Sequence, residues 1–275
     1  MSNTVPISIM TFNILAENCV DFVNPAEYYP HITPKNLRIN HRLPGIIKKI
    51  RQHNCDIVLL QELTYEVREK LIKLLPEYLC TKLAVNNLHE PKRLHWANMT
   101  LLKRGVFSSI KHIVQFLHTS HTAYSTLVCK HHASGKKCII MNVHYDAEYP
   151  VVRRYENAAL LRFLRSYLTN WIIVVGGDFN TDDPTLHAKF DGKFLPAIPK
   201  KRASSTYLCE APMIDHIYTR GIVHDKSWID NKAYCDDKKD CKNVKEKTPQ
   251  CMRKTISSVS SDHYPVVLLG HIKLS

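Results

Sequence analysis

Apolar residues gather in short runs that stop at polar ones. Ile7 to Phe12 ends on Asn13, Ile57 to Gln61 on Glu62, Cys138 to Met141 on Asn142-Val143-His144, and Trp171 to Val175 on Gly176-Gly177-Asp178-Phe179-Asn180. Such runs read as strands that deliver acids, amides or imidazoles at their carboxyl ends, where an α/β sheet normally presents its chemistry. Leu43, Ile46, Ile47 and Ile50 follow the i, i+3, i+4, i+7 rule. They predict an amphipathic helix from about Arg38 to Gln52, feeding a strand at Asp56 to Gln61. A second helix spans roughly Tyr65 to Leu75 and is closed by Pro76. Runs at Ala97 to Lys103, Tyr124 to His131 and Lys137 to His144 predict further strands, the last two joined by a hairpin at Ala133-Ser134-Gly135. A loop then ends near Pro150. A helix from about Arg153 to Leu168, with Leu161, Leu164 and Leu168 on one face, leads to a strand from Trp171 to Phe179. Strands at Ile214 to Tyr218 and Tyr264 to Leu269 complete the series. Asn86 to His95 and the lysine-rich stretch from Trp228 to Thr255 read as surface insertions in a single domain spanning residues 1–275. This order predicts an α/β fold of two sheets packed face to face with helices outside.

With 275 residues, 44% of them hydrophobic, the chain can bury a large core without disulfides. No stretch approaches a membrane span. The opening segment Met1 to Met10 lacks a basic start and a long apolar centre, so neither a transmembrane helix nor a signal peptide is expected. The expected location is the cytoplasm, with the nucleus left open. The nine cysteines are an odd number. Cys19, Cys55, Cys80, Cys129 and Cys138 lie singly in apolar or mixed segments, as reduced thiols do. Cys209, Cys235, Cys241 and Cys251 lack the close Cys-x-x-Cys pairs of structural zinc, so a lysine-rich loop is the reading there. The formal charge of +13 favours a polyanionic partner.

The residues ending the runs carry the candidate chemistry. Glu62 follows five residues whose burial would desolvate its carboxylate unless it met a cation, and a hard metal such as Mg2+ is the economical partner. Asp178 and Asn180 flank Phe179; if strand geometry persists, both side chains face one reacting group, the acid to take a proton from water and the amide to orient it. An ordinary turn would explain the same pair, since Asp182-Asp183-Pro184 follows. His263 is the candidate imidazole for the scissile phosphate, with Asp262 helping to hold the metal and Asp215 holding the other ring nitrogen. His144 could donate to a phosphate oxygen. Arg153 and Arg154 could grip a flanking phosphate, and Asn98 is a further candidate substrate contact. Lys92-Arg93, Lys103-Arg104 and Lys200-Lys201-Arg202 could extend a cationic groove, although short basic pairs usually belong to solvated surface.

Six segments in order, Thr11-Phe12-Asn13-Ile14-Leu15-Ala16, Leu60-Gln61-Glu62, Asn142-Val143-His144, Gly177-Asp178-Phe179-Asn180, Ile214-Asp215-His216-Ile217-Tyr218 and Ser261-Asp262-His263-Tyr264-Pro265, resemble the exonuclease/endonuclease/phosphatase superfamily over most of the chain. Within it the chain looks most like the deadenylase, nocturnin and 2′-phosphodiesterase branch. The resemblance implies a DNase I-like four-layer α/β sandwich of two packed mixed β-sheets flanked by helices. It also implies Mg2+ dependence, with Mn2+ able to substitute. Glu62 would be the principal metal ligand with Asn13 and Asp262 assisting, Asp178 and Asn180 would lie at the nucleophile, and His144, Asp215 and His263 around the phosphate. Two features depart from the pattern: His216 stands where relatives usually carry an aromatic, and the leucine-rich adaptor repeats of some deadenylases are absent. The expected protein is a monomeric 3′ exoribonuclease acting on single-stranded RNA, with no membrane partner. A DNA endonuclease or repair phosphodiesterase is the alternative enzyme, and a catalytically silent nucleic-acid-binding module is the alternative of another class.

Overall fold

Two mixed sheets stack face to face with helices on both outer surfaces, in a computed structural model that describes residues 3–22, 29, 32–86, 96–116, 122–167, 170–183, 194–197, 213–230 and 261–274. Strands β1 (Thr4–Asn13), β2 (Ile57–Leu63), β3 (Tyr78–Cys80), β4 (Ala84–Val85), β5 (Ala97–Lys103), β12 (Val223–Ile229) and β13 (Val266–Lys273) form a seven-stranded sheet in the order β12-β13-β1-β2-β5-β3, with β4 beside β5. Strands β6 (Phe107–Phe116), β7 (Ala123–His131), β8 (Lys137–His144), β9 (Ile172–Asp178), β10 (Leu195–Pro196) and β11 (Asp215–Arg220) form a six-stranded sheet in the order β10-β11-β9-β8-β7-β6. The described helices are α1 (Glu17–Phe22), α2 (Pro34–Leu37), α3 (Ile39–His53), α4 (Tyr65–Leu74) and α5 (Pro150–Arg165). None of them is long and apolar enough to cross a membrane.

Alternation along the central strands explains the layers. Ile7, Ile9, Ile57 and Leu59 point between the sheets to meet Leu127, Ile140, Ile172, Val174 and Ile217, whereas Met10, Phe12, Val58 and Leu60 point outward under Leu43, Ile46 and Ile50 of α3. On the second sheet, Ile139, Met141, Ile173 and Val175 point outward under Leu160 and Leu164 of α5. Strands buried on both faces must be apolar at most positions, which is why β1, β2, β8 and β9 stand out as apolar runs in the sequence, broken by Ser8, Thr11, Gln61 and Asn142.

The parallel pairs β1/β2 and β8/β9 occupy the middle of their sheets, and their carboxyl ends lie at one end of the sandwich. That end is tied by polar groups between the sheets. Asn142 of β8 donates to the carbonyls of Leu60 (2.9 Å) and Met99 (3.0 Å) on the opposite sheet, and accepts from Gln61 Nε2 at 2.7 Å. Gln61 in turn meets the Thr11 hydroxyl at 3.2 Å. Asn142, part of a motif that the sequence pattern offers for chemistry, is therefore a buried joint with its amide fully engaged.

Several boundaries differ from the sequence reading. Helix α5 begins at Pro150, where a proline at the first helical position has no amide to lose, three residues before the expected start. The last strand runs from Val266 to Lys273, beyond the expected Leu269, because β1 pairs with it as far as Lys273. The stretch taken as an insertion from Trp228 starts inside β12, whose Trp228 packs on the α3 side; residues 231–255, including Cys235, Cys241 and Cys251, lie outside the described residues, as do Cys209, Leu168, residues 87–95 and Lys200 to Arg202.

Just past β12, the Asp230 carboxylate accepts from Lys49 Nζ at 2.7 Å and His53 Nε2 at 2.9 Å, fastening α3 to the sheet edge. Burial pushes this carboxyl up, but the hydrogen bonds from His53 and Lys49 outweigh it and hold it at about 2. A depressed carboxyl contributes stability above its ordinary value and loses it as the pH falls toward the folded value, here worth about 2 kcal/mol. The Asp230→Asn variant is therefore expected to be less stable than wild type by about that much near neutrality, with the gap closing as the pH approaches about 2; urea unfolding across that range measures it.

Candidate active site

Strand register sets the site. In β8/β9, His144 lies opposite Asp178, and in β9/β11 Asp215 lies opposite Asp178, so three neighbouring strands place His144, Asp178 and Asp215 side by side. The close approach needs glycine. A Cβ on Gly177, whose φ is +152°, would stand 1.8 Å from the Val143 carbonyl oxygen. From the other sheet, Asn13 ends β1 and Glu62 lies near the end of β2.

Glu62 reaches the site through a bulge. Simple alternation would send it outward with Val58 and Leu60. Instead the β2/β5 register breaks between Leu60 and Leu63, both of which pack on the helix side, and Glu62 adopts a left-handed φ of 61°. The extra residue turns the carboxylate toward the end of the sandwich, as bulges beside functional sites do. There it accepts from Asn13 Nδ2 at 2.8 Å and from the Ala16 amide at 2.9 Å.

Asp178 Oδ2 is the meeting point. It accepts from Asn13 Nδ2 at 3.0 Å and lies 3.6 Å from His263 Nε2 and 3.8 Å from His144 Nε2. His263 is held by Asp215 through Nδ1 at 2.8 Å. Burial disfavours a charge on this ring, but the carboxylates of Asp215 and Asp178 outweigh it and hold His263 well above the ordinary imidazole value. His144 Nδ1 is buried without a hydrogen-bond partner among the described residues, and the Trp96 ring lies 6.3 Å from its own. Asp262 receives the Tyr29 hydroxyl at 3.2 Å; burial raises its carboxyl, with the charge of Glu62 adding to the rise and His263 and Arg42 opposing it. Ser261 donates to the Asn13 carbonyl at 2.7 Å, which anchors the Asp262-His263 segment to β1.

The structure thus brings together Asn13, Glu62, His144, Asp178, Asp215, Asp262 and His263. Asn180 differs from expectation. Strand β9 stops at Asp178, and Asn180 turns left-handed with a φ of 49°, its amide group donating to the Tyr145 carbonyl at 2.9 Å and its backbone N–H to Asp178 Oδ1 at 2.8 Å. It fixes Asp178 and the loop after β8 rather than continuing the strand. Arg153 donates to the carbonyls of Asp146 and Ala147, so it braces that loop, while Arg154 is exposed. Asn98 is buried between the sheets, donating to the Ala123 carbonyl at 3.0 Å. Lys103 and Arg104 donate to the carbonyls of Asn54 and Pro76, away from these residues in the fold. His216 packs as an aromatic: its ring stacks on Tyr218 and meets Phe179 edge-on.

Arg42 escapes the motif reading. Its guanidinium, almost fully buried, donates to the carbonyls of Ile14 (2.6 Å), Leu15 and Leu37 (2.7 Å). It thereby clamps a turn in which Leu15 has a left-handed φ of 57°, with its N–H bonded to Asn13 Oδ1 at 3.0 Å, and which hands the Ala16 amide to Glu62. Strained backbone of this kind persists only where its surroundings over-determine it. The available signal is its position: Arg42 lies three residues after Ile39 and four before Ile46, on the apolar stripe of α3, where an unpaired cation would be costly. Lysine cannot span three carbonyls. Arg42→Lys is therefore expected to weaken divalent-cation binding by about tenfold while the protein still folds, as calorimetric titration with Mg2+ and with Mn2+ would measure.

Two groupings of donors could hold a metal. Asp178, Asp215 and His263 offer ligand atoms within 4.8 Å of one another. Glu62, bonded to Asn13, and Asp262, which follows the Ser261 that bonds the Asn13 carbonyl and feels the charge of Glu62, offer carboxylate oxygens as the second. The oxygen-rich side suits a hard divalent cation, and the Asp262 carboxyl, raised chiefly by burial and further by the charge of Glu62, is one that such an ion would stabilise in its ionised form. His263 and Asp215 are already committed to each other through Nδ1 at 2.8 Å, which disfavours the first grouping.

Comparison with curated protein sequences gives no match. Solved structures match throughout. The structure described as ANGEL2, a 2′,3′-cyclic phosphatase, in complex with adenosine-2′,3′-vanadate is 16% identical, with a TM-score of 0.76 over 99% of this chain and 97% of that one. An endonuclease/exonuclease/phosphatase protein from Bacteroides vulgatus is 17% identical, with a TM-score of 0.69 over 98% of this chain and 99% of that one. Humanized D. rerio TDP2 is 16% identical, with a TM-score of 0.68 over 96% of this chain and 98% of that one. These likenesses establish the fold, the DNase I-like four-layer sandwich. The family model described as Endonuclease/Exonuclease/phosphatase family matches residues 10–263, which take in every convergent side chain named above, and the chain belongs to that family.

Proposed function

We propose that this protein is a divalent-metal-dependent phosphodiester hydrolase acting on single-stranded RNA. The observation that carries the reading is the convergence of two imidazole Nε2 atoms on one carboxylate oxygen, Asp178 Oδ2, which Asn13 also ties to Glu62. Glu62 and Asp262, with the Asn13 side chain between Glu62 and Asp178, would hold Mg2+ or Mn2+. When bound, such an ion supplies charge stabilisation at a phosphoryl oxygen.

The chain's own groups account for the rest. Asp178, positioned by the Asn13 amide and the Asn180 N–H, takes a proton from the attacking water. His263, kept charged by Asp215, donates Nε2–H to a phosphate oxygen as negative charge develops there. His144 donates to a second oxygen from β8. The water oxygen bonds to phosphorus in line with the P–O bond that breaks, and the departing oxygen is protonated from solvent.

The net charge of +13 supports a polyanionic substrate. A second reading, removal of a terminal 2′,3′-cyclic phosphate, is favoured by the fold likeness to ANGEL2 over 99% of the chain. One panel separates them: labelled poly(A), mixed-sequence RNA, RNA ending in a 2′,3′-cyclic phosphate, single-stranded DNA and abasic duplex, each with Mg2+, Mn2+ or EDTA. Shortening of poly(A) from its 3′ end supports the first reading, and loss of terminal phosphate without shortening supports the second. Metal-independent cleavage, or none of any RNA, refutes both.

A further inference from the structure

Helix α5 has a face that neither the sheet nor the reaction centre uses. Glu156, Asn157, Leu160 and Leu164 are buried on its inner side, whereas Val151, Arg154, Tyr155, Ala158, Arg162 and Arg165 are exposed. At 3.6 residues per turn these six fall on one stripe about 100° wide. No acid interrupts it. The helix's acidic residue, Glu156, is turned inward, accepting from the Thr122 hydroxyl at 2.7 Å and the Asp146 amide at 3.0 Å. Arg154, Arg162 and Arg165 meet no carboxylate among the described residues. Tyr155 is 63% exposed and Val151 57%, and the two lie on the same stripe, so they form a patch rather than scattered residues.

The stripe also contains a concavity. Ala158, Leu161, Arg162 and Arg165 line a surface recess of about 380 Å3, with an apolar floor and a cationic rim. Cations in the last helical turn also suit the helix dipole, which would account for Arg162 and Arg165 but not for Tyr155, Val151 or the recess. Because β8, α5 and β9 form a parallel crossover, α5 starts at the end of the sandwich where His144 and Asp178 meet, and runs away from it for about 24 Å.

We propose that this face is a track for the backbone of single-stranded nucleic acid, with the recess seating one nucleotide. Its phosphate would lie on Arg162 and Arg165 and its base over Ala158 and Leu161, with Tyr155 stacking on a base nearer the reaction centre. The assignment rests on the RNA-hydrolase reading for its direction, since the strand would run from the recess toward Asp178. Charge complementarity selects the occupant: three guanidiniums that meet no carboxylate among the described residues, on a protein of charge +13, favour a string of phosphates over a neutral partner.

The test compares wild type with the Arg162→Gln/Arg165→Gln double variant in the full chain, both checked for equal thermal stability. Binding of a labelled 15-nucleotide oligoadenylate is measured by fluorescence anisotropy across a salt series, in EDTA so that cleavage does not intervene. The double variant should bind about tenfold more weakly, and the slope of log K against log salt should shrink by about 1.4, at about 0.7 per lost phosphate contact. Hydrolysis of a dinucleotide too short to reach the recess should be unchanged. Arg162→Lys/Arg165→Lys, which keeps the charges, should retain the slope. Tyr155→Ala should weaken long-strand binding at least about fivefold with the slope intact. Equal affinity and slope in wild type and double variant would overturn the track, whatever the protein hydrolyses. Tighter binding to phosphatidylserine vesicles than to the oligonucleotide, lost in the double variant, would overturn the assignment to nucleic acid. A wild type that cleaves no RNA yet shows the slope change keeps the track and rejects the hydrolase reading.

Discussion

Replacing Glu62 by glycine should lower phosphoester hydrolysis by roughly 10³-fold or more while leaving the melting temperature unchanged or slightly raised. The first half follows from the loss of the carboxylate at the centre of the proposed metal site. The second follows from backbone conformation. Glu62 sits at a φ of 61° to serve the bulge, and a non-glycine residue there carries about 1 kcal/mol of strain that glycine does not. Against this stand the two lost hydrogen bonds from Asn13 and Ala16, which are offset by the strain relief together with the loss of Glu62's repulsion on the Asp262 carboxylate, so the effects roughly cancel. Glu62→Gln separates them, because it keeps the strain while removing the charge and one of the two acceptors; it should be as inactive as the glycine variant and less stable than it. Thermal melting and turnover measured on the same preparations decide the matter. A glycine variant that retains activity would remove Glu62 from the chemistry.

His263→Ala is expected to reduce kcat by about 10²- to 10⁴-fold. The more informative readout is pH. Because Asp215 and Asp178 outweigh burial and hold the ring's proton affinity well above its ordinary value, the charged form persists through neutrality and is lost as the pH rises through the folded value. Activity that needs the proton should therefore fall on the alkaline side in wild type, and that limb should be missing from the residual activity of His263→Ala. Asp215→Asn should move the limb to lower pH, since it removes the nearest negative charge from Nδ1 at 2.8 Å. An unchanged limb in both variants would assign the titration to another group.

Much of this architecture is legible in the sequence because burial on both faces leaves little choice of residue. The runs before Asn13, Glu62, His144 and Asp178 are apolar at most positions, broken by Ser8, Thr11, Gln61 and Asn142, and still announce themselves as strands. Strand β6 does not: Ser108, Ser109, Lys111, His112 and Gln115 interrupt its apolar positions, and its partner β7 supplies much of its order. Strands β3, β4 and β10, three residues or fewer, exist through pairing with β5 and β11 rather than through any pattern of their own. In the site, residue types at strand ends are visible, but their directions are not. Alternation alone would put Glu62 among the outer apolar residues and would aim Asn180 beside Asp178; a bulge and a left-handed turn reverse both. Arg42 acts through carbonyl groups of a distant loop, and a helical period cannot reveal such a partner. Asn142 looks like a candidate for chemistry because it neighbours His144, yet the side chain is spent on holding β2 and β5.

That last feature bears on how the enzyme would keep its alignment. The reacting constellation straddles a seam, with Asn13, Glu62 and His263 carried by one sheet and His144, Asp178 and Asp215 by the other. Apolar packing between the layers is non-directional, whereas an amide gripping two carbonyls across the gap permits a single offset. Sub-ångström tolerances at the phosphate would thus be set by a keyed joint one layer beneath, which leaves the rim loops free to vary in length and composition without disturbing the geometry they surround.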